Sequence, residues 1–268
     1  MNRKFKLKIY GESPRSLFLA FVLAKLKCDI YLYDFLRNTK SEKDYQTILF
    51  SYSSRYLLNK FNIWNEIENV AYDFTSLSVI DNYVSEQLIL GTENFSVEKH
   101  NTIGWTAKYS DIKRLLLDKL INAENVHFIS KNQDIDEPTI FDYEFNFKDY
   151  DKELILNKLP LLNHKKIGEQ ILIFNVYLRG HVEKRLYEIN TNKGLLIFTP
   201  LKKDLYQIIW NSASFGIKER SLISKSFFLD NLTTLLPNEL KIDQIIGDIN
   251  FLCICKNYSN YFIKKKTI

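Results

Sequence analysis

The chain has 268 residues, of which 46% are hydrophobic and 14% aromatic, a composition typical of a globular protein with a substantial core. Its net charge of +5 is spread along the chain without an arginine-rich stripe, so we expect no nucleic-acid partner. The N-terminus lacks the apolar core of a secretion signal, and the longest apolar stretch, residues 17–26, is too short to span a bilayer. The three cysteines are sparse and the histidines are scattered, so we predict a cytoplasmic protein without a metal site.

The first third of the sequence alternates strands and helices. Leu7 and Ile9 begin a short strand, and residues 14–27 form a helix that Ser13 can cap. Pro14 fits the first helical position, where its missing N–H costs nothing. A β-rich strand follows over residues 29–34, so this region predicts a βαβ unit with parallel strands.

Four further elements are predicted before residue 131. They are a helix over 53–67, a hairpin over 75–81 and 86–91, a helix over 109–122 with Ser110 as its N-cap, and a strand over 125–130. After about residue 165, β-rich runs separated by turn residues predict an antiparallel meander. A helix over 220–236 and one more strand complete the pattern, and we interpret the dipeptide Gly247-Asp248 as a turn.

The turn after the first strand reads GESPRS, residues 11–16. Dinucleotide-binding folds place three glycines here, and only Gly11 matches, with Ser13 and Ser16 at the other two positions. Ser13 adds a Cβ where a phosphate should approach, although its hydroxyl could donate to a phosphate oxygen. Glu12 opposes an anion at the helix N-terminus, and Arg15 could offset it. The alternative, a capped helix start without a ligand, stays open.

The acid at the end of the second strand has two interpretations as well. Asp34 follows Ser16 by 18 residues, close to the spacing of a ribose-binding acid in dinucleotide-binding folds. It can equally be an ordinary acidic residue at a strand end.

Longer stretches resemble the flavin-dependent hydroxylases of ubiquinone biosynthesis. They are ILFSYSSRYLLNKFNIWNEI (48–67), taken as a helix, LSVID (77–81), IGWTAKYSDIKRLLLDKL (103–120) with the following NVHF, and the sheet from EQILIFNVYL to LYQIIW (169–210). In the last stretch a strand bearing Glu188 leads through a glycine to a strand ending in proline and then to one ending in tryptophan. The resemblance covers most of the chain in collinear order.

The resemblance implies an α/β fold of the p-hydroxybenzoate-hydroxylase type. Such enzymes bind FAD, are reduced by NAD(P)H, and use oxygen to hydroxylate a phenol or quinone precursor. The pyrophosphate is expected at Gly11, Ser13, Arg15 and Ser16, and the ribose at Asp34. Gln46 matches a family arginine that contacts the flavin cofactor, and Asp149 matches the acid of the family's Asp-Gly motif. No side chain is assigned a catalytic role.

The sequence also departs from that family. Gln46 is uncharged, Tyr150 replaces the glycine after Asp149, and the second FAD motif, expected near residue 265, is missing. We therefore expect an incomplete Rossmann-like FAD-binding domain with an inserted antiparallel β-sheet substrate domain, and an open sheet edge that a protein partner could cover. The expected domains are 1–73 with 100–165 for the FAD-binding type, 74–99 with 166–258 for the substrate type, and a basic tail, 259–268, that could contact a membrane surface.

Three functions remain open from the sequence. The first is a divergent FAD-dependent hydroxylase with weakened or lost flavin binding. The second is a non-catalytic remnant that acts as an interaction subunit. The third is the N-terminal part of a split flavoprotein.

Overall fold

The computed structural model describes residues 4–33, 45–94, 101–129, 140–147, 167–212 and 225–256. These residues divide into two compact units. The first unit contains the described residues up to 76, those within 90–147, and 199–203; the second contains 77–89, those within 167–198, and those within 204–256.

A parallel sheet forms the base of the first unit. Its strands are β1 (Lys6–Tyr10), β2 (Asp29–Tyr33), β8 (Val126–Ile129) and β9 (Tyr143–Asn146), in the order β8-β2-β1-β9. Helix α1 (Pro14–Lys25) connects β1 to β2, so the predicted βαβ unit is confirmed. Alternate residues of β1 and β2 are buried because one face of the sheet packs in the same core as α1. Strand β9 has no counterpart in the sequence prediction.

A small antiparallel sheet and three helices complete this unit. The sheet has the order β3-β7-β4, with β3 (Thr47–Phe50), β7 (Gly104–Lys108) and β4 (Tyr72–Phe74). The helices are α2 (Tyr52–Lys60), α3 (Trp64–Glu68) and α4 (Tyr109–Ile121). A short 3₁₀ turn covers Thr92–Asn94.

Three sequence predictions are wrong in this sheet and these helices. Residues 48–50 are strand rather than helix because they pair with β7. The helix predicted over 53–67 is broken at Asn62, whose φ of 53° lies in the left-handed region and ends α2. Helix α4 starts one residue before Ser110, its cap position is Lys108, and that cap has no side-chain hydrogen bond.

The second unit contains one seven-stranded sheet and one helix. The strand order is β14-β10-β13-β12-β11-β5-β6, with the bounds β5 (Ser76–Asp81), β6 (Glu86–Gly91), β10 (Ile167–Arg179), β11 (Arg185–Thr191), β12 (Gly194–Pro200), β13 (Leu205–Ser212) and β14 (Lys241–Lys256). The predicted hairpin, now β5 and β6, is confirmed. The predicted meander is confirmed for β11, β12 and β13, which are neighbours in chain order, whereas β10 lies beside β13 rather than β11. Helix α5 (Lys225–Thr233) packs Phe228 against Phe174 and Trp210 in the core. The predicted start of this helix, residues 220–224, lies outside the described residues.

Gly247-Asp248 forms a bulge inside β14 rather than a turn. The register with β10 shifts here, since Ile246 pairs with Asn175 whereas Asn250 pairs with Ile173. Gly247 has a φ of 73°, a conformation that glycine adopts readily at a β-bulge. The sequence interpretation of a turn is therefore corrected.

The three tryptophans belong to the cores: Trp64 and Trp105 in the first unit, and Trp210 in the second. No helix within the described ranges is long and apolar enough to cross a membrane.

Candidate functional site

The turn between β1 and α1 (residues 11–16, called the β1–α1 turn) lies where three strands end. The Gly11 N–H donates to the Tyr33 carbonyl at 3.3 Å, and the Phe147 N–H donates to the Tyr10 carbonyl at 2.9 Å. These bonds bring the carboxyl ends of β1, β2 and β9 together. Gly11 has a φ of 106°, a conformation that favours glycine. In α/β folds, ligands bind at this edge of the sheet, so the turn occupies the expected position for a binding site.

Ser13 and Ser16 hold the turn together. Ser13 is the N-cap of α1, and its Oγ accepts from the Ser16 N–H at 3.3 Å. The Ser16 side chain is fully buried, and its Oγ donates to the Gly11 and Ser13 carbonyls, each at 2.8 Å. Pro14 contributes no N–H, so Arg15 supplies the first backbone N–H of the helix that the Ser13 cap leaves unused. The hydroxyl of Ser16 therefore acts inside the turn.

Glu12 is neutralised by a lysine from another helix. The Lys113 Nζ in α4 lies 3.3 Å from the Glu12 Oε2, and the two side chains are 10% and 25% exposed. The Glu12 Oε2 atom itself is buried. The negative charge that the sequence places in the turn is thus balanced by a positive charge 101 positions away in the sequence.

An apolar cavity of about 280 Å³ opens beside the start of α1. We call it the α1 cavity; its lining includes Pro14, Arg15 and Phe18 of α1, Ile48–Phe50 of β3, Leu57 and Leu58 of α2, and Ile112 and Leu116 of α4. Arg15 carries the one charged side chain of this lining and, within the described part of the chain, makes no ion pair. The cavity therefore has an apolar wall in which Arg15 is the charged residue.

Gln46 is the one predicted site residue beyond the β1–α1 turn that lies within the described residues. Gln46 lies directly before β3, and its carbonyl accepts from the Tyr109 N–H at 2.8 Å. The strand that it precedes lines the α1 cavity together with Arg15. Asp34 and Asp149 lie outside the described residues.

A second cavity, of about 390 Å³, lies elsewhere in the same unit. It is polar and is lined by Arg55, Glu68, Ala71, Asp73, Asn101, Thr102 and Trp105. The Arg55 guanidinium carbon lies 4.9 Å from the centre of the Trp105 ring and its Nη2 lies 3.6 Å from the Glu68 Oε1. This cavity and the role of Lys113 could not be predicted from the sequence, because the residues involved are distant in sequence and follow no local motif.

The chain matches no protein-family model and no curated protein. Solved structures are similar. That of p-nitrophenol 4-monooxygenase PnpA from Pseudomonas putida DLL-E4 has a TM-score of 0.67 and 12% identity, over 96% of this chain and 69% of that chain. PqsL from Pseudomonas aeruginosa, a probable FAD-dependent monooxygenase, has a TM-score of 0.63 and 14% identity, over 88% and 68% of the two chains. The chain has the fold of flavin-dependent monooxygenases. The flavin-dependent halogenase CmlS shares it, with a TM-score of 0.67 and 14% identity over 96% of this chain and 51% of that one.

Proposed function

We propose that the protein binds FAD at the β1–α1 turn and acts as an oxidoreductase of the aromatic-ring monooxygenase type. The observation that carries this proposal is the position of Gly11, in a conformation that favours glycine, at the joint ends of three parallel strands. The proposal agrees with the activities of proteins of similar structure, which are a p-nitrophenol 4-monooxygenase, a probable FAD-dependent monooxygenase and a flavin-dependent halogenase.

The residues of the turn fit the anionic part of FAD. The charge of Glu12 is paired with Lys113, so Arg15 contributes the net charge at the start of α1. A guanidinium group and a helix N-terminus both favour a phosphate oxygen. The backbone of Ser13 has an ordinary extended conformation, with φ −76°, so a serine at this position causes no backbone strain.

Each part of the chain then has a specific task. The β1–α1 turn would hold the pyrophosphate, with Asp34 for the ribose and Gln46 and Asp149 as further cofactor contacts. The apolar wall of the α1 cavity would exclude water from an aromatic ring bound there. Bound FAD would supply the oxidation chemistry, and the protein would bind and orient the reactants.

The substrate that we propose is a phenol or quinone precursor of the ubiquinone-biosynthesis type, with NAD(P)H as the reductant. The sequence resemblance over residues 48–67, 103–120 and 169–210 supports this choice. A lipid-linked substrate would suit a peripheral contact of a cytoplasmic protein with the inner membrane through the lysines near the C-terminus.

Titration of the full chain with FAD tests the proposal. We expect saturable quenching of flavin fluorescence, followed by NADH or NADPH oxidation that a phenol stimulates. In Gly11→Ala this binding should be lost because alanine disfavours the φ of 106°. Gly247→Ala is the matched control, since Gly247 also has a positive φ but lies in the second unit. Absence of FAD binding by the wild-type chain would refute the function.

The α1 start also favours a second candidate, a non-catalytic interaction subunit. Pro14 lacks an N–H and Ser13 already accepts from the Ser16 N–H, so the helix offers fewer donors to an anion. Strand β9 is at the end of its sheet within the described residues, and Tyr143 on it is 60% exposed. In this case we propose that a protein partner adds a strand beside β9. A chain that stays colourless with FAD but forms a stable complex, lost on replacing Glu144 by Pro, would favour this candidate.

A further inference from the structure

The Glu12–Lys113 ion pair connects the β1–α1 turn to helix α4. Glu12 lies between Gly11 and the cap residue Ser13, so its carboxylate belongs to the segment that precedes the helix N-terminus. Lys113 is in the second turn of α4, on the face that carries the buried residues Ile112 and Leu116. Helices α1 and α4 pack in the same core, which fixes the lysine beside the turn.

The burial of Lys113 makes this contact specific. Its side chain is 10% exposed, and an ammonium group so far from water needs a partner. Within the described residues, that partner is Glu12 alone, because the neighbouring Asp111 pairs with Arg114. The positive charge of Lys113 is therefore held beside the Glu12 carboxylate, next to the β1–α1 turn.

We propose that Lys113 is a positioning residue that makes the β1–α1 turn receptive to an anionic group, by neutralising Glu12 and holding its carboxylate away from the ligand. This inference rests on the proposed function, since it concerns the same site. A carboxylate without a counter-charge would repel a phosphate group at the helix N-terminus and cancel the attraction of Arg15. With the pair intact, the charge that a ligand meets is that of Arg15.

The test compares charged and uncharged ligands on the full chain. Calorimetric titrations with ADP, inorganic pyrophosphate and adenosine are made on the wild type, Lys113→Met, Glu12→Gln and the double variant. We expect Lys113→Met to weaken ADP and pyrophosphate binding about tenfold, which corresponds to about 1.4 kcal/mol. Adenosine binding should stay within about twofold of the wild type because the ligand carries no charge.

The double variant separates electrostatics from packing. With both charges removed, the affinity for ADP should lie within about threefold of the wild-type affinity, although the lysine is still missing. A purely structural role of Lys113 would instead weaken ADP and adenosine alike and would leave the double variant as weak as Lys113→Met. Lys113→Arg should retain ADP binding because it keeps the positive charge.

Glu12→Gln keeps the test decisive if Lys113→Met does not fold. This variant retains the lysine charge without its partner, so it should bind ADP at least threefold more tightly than the wild type. Equal or weaker binding would overturn the inference, as would unchanged ADP affinity in folded Lys113→Met. If the wild type binds neither FAD nor ADP nor pyrophosphate, the proposed function fails and the inference fails with it. If the wild type binds them and the variants do not differ, the inference alone fails.

Discussion

Replacing Ser16 by alanine tests how the β1–α1 turn is held. The Ser16 hydroxyl is fully buried and lies 2.8 Å from both the Gly11 and Ser13 carbonyl oxygens. A hydroxyl has one proton, so the two acceptors share a single donor. The Ser13 carbonyl also accepts from the Leu17 N–H at 3.0 Å. Removal of the Ser16 hydroxyl therefore costs mainly the hydrogen bond to the Gly11 carbonyl.

The expected magnitude follows from these contacts. Loss of one buried hydrogen bond costs about 1–2 kcal/mol of unfolding free energy. The higher helix propensity of alanine returns up to about 0.5 kcal/mol. We expect Ser16→Ala to destabilise the protein by about 1 kcal/mol, which lowers the melting temperature by about 2–4 °C in a chain of this size.

Helix α2 provides a matched control. It also begins with a Ser-x-x-Ser cap, in which the Ser54 N–H donates to the Ser51 Oγ at 3.3 Å. Within the described contacts, the Ser54 hydroxyl meets the Ser51 hydroxyl at 3.2 Å and no backbone carbonyl. Ser54→Ala should therefore change the unfolding free energy by less than about 0.5 kcal/mol.

Urea unfolding followed by circular dichroism and tryptophan fluorescence measures both variants. The denaturant slope should stay unchanged, so that the midpoint reports the free energy. If the two variants agree within about 0.3 kcal/mol, the hydroxyl of Ser16 does not hold the turn and the argument from its two short contacts is wrong.

Three further predictions concern other places in the structure. Gly180→Ala should destabilise the protein far more than Gly247→Ala. Both glycines have positive φ values, 70° and 73°, but an added Cβ overlaps the Glu239 carbonyl oxygen only at Gly180. Equal melting temperatures of the two variants would contradict this. Burial raises the pKa of Tyr187 above its ordinary value of 10.0, so the folded state keeps the phenolic proton to a higher pH than the unfolded state does. The free energy of unfolding should therefore fall as the pH rises above 10. In alkaline unfolding experiments this fall should be less steep for Tyr187→Phe. Burial, with the charge of the adjacent aspartate, raises the pKa of the Cys28 thiol. In a variant with the other two cysteines changed to serine, this thiol should therefore react with a thiol reagent at pH 8 only after unfolding by urea. Rapid reaction in the native state would refute this.

Local chemistry explains why the first βαβ unit could be predicted from sequence. The alternation of Leu7 and Ile9, the cap at Ser13 and the proline at position 14 act over a few residues, and each favours the same structure. The hairpin of β5 and β6 follows for the same reason, since its two strands are close in sequence. The carboxyl-edge position of Gly11 also follows from the order of these elements.

Pairing across long distances in sequence explains what could not be predicted. The apolar run at 48–50 fits a helix or a strand by itself, and its pairing with β7 decides for the strand. Ser110 has the chemistry of a cap, but helix α4 begins before it, directly after β7. Strand β9 is short, and its place beside β1 depends on residues more than 130 positions away.

The sequence by itself determined the fold class, the position of the β1–α1 turn and the residue types in that turn, because these depend on local patterns and on the order of elements. Only the tertiary structure decided the electrostatics of the turn. The negative charge of Glu12 is visible in the sequence, whereas its neutralisation by Lys113 arises from the packing of α1 against α4. The α1 cavity arises in the same way, since its walls come from five elements, α1, β3, α2, α3 and α4, that approach one another only in the folded chain.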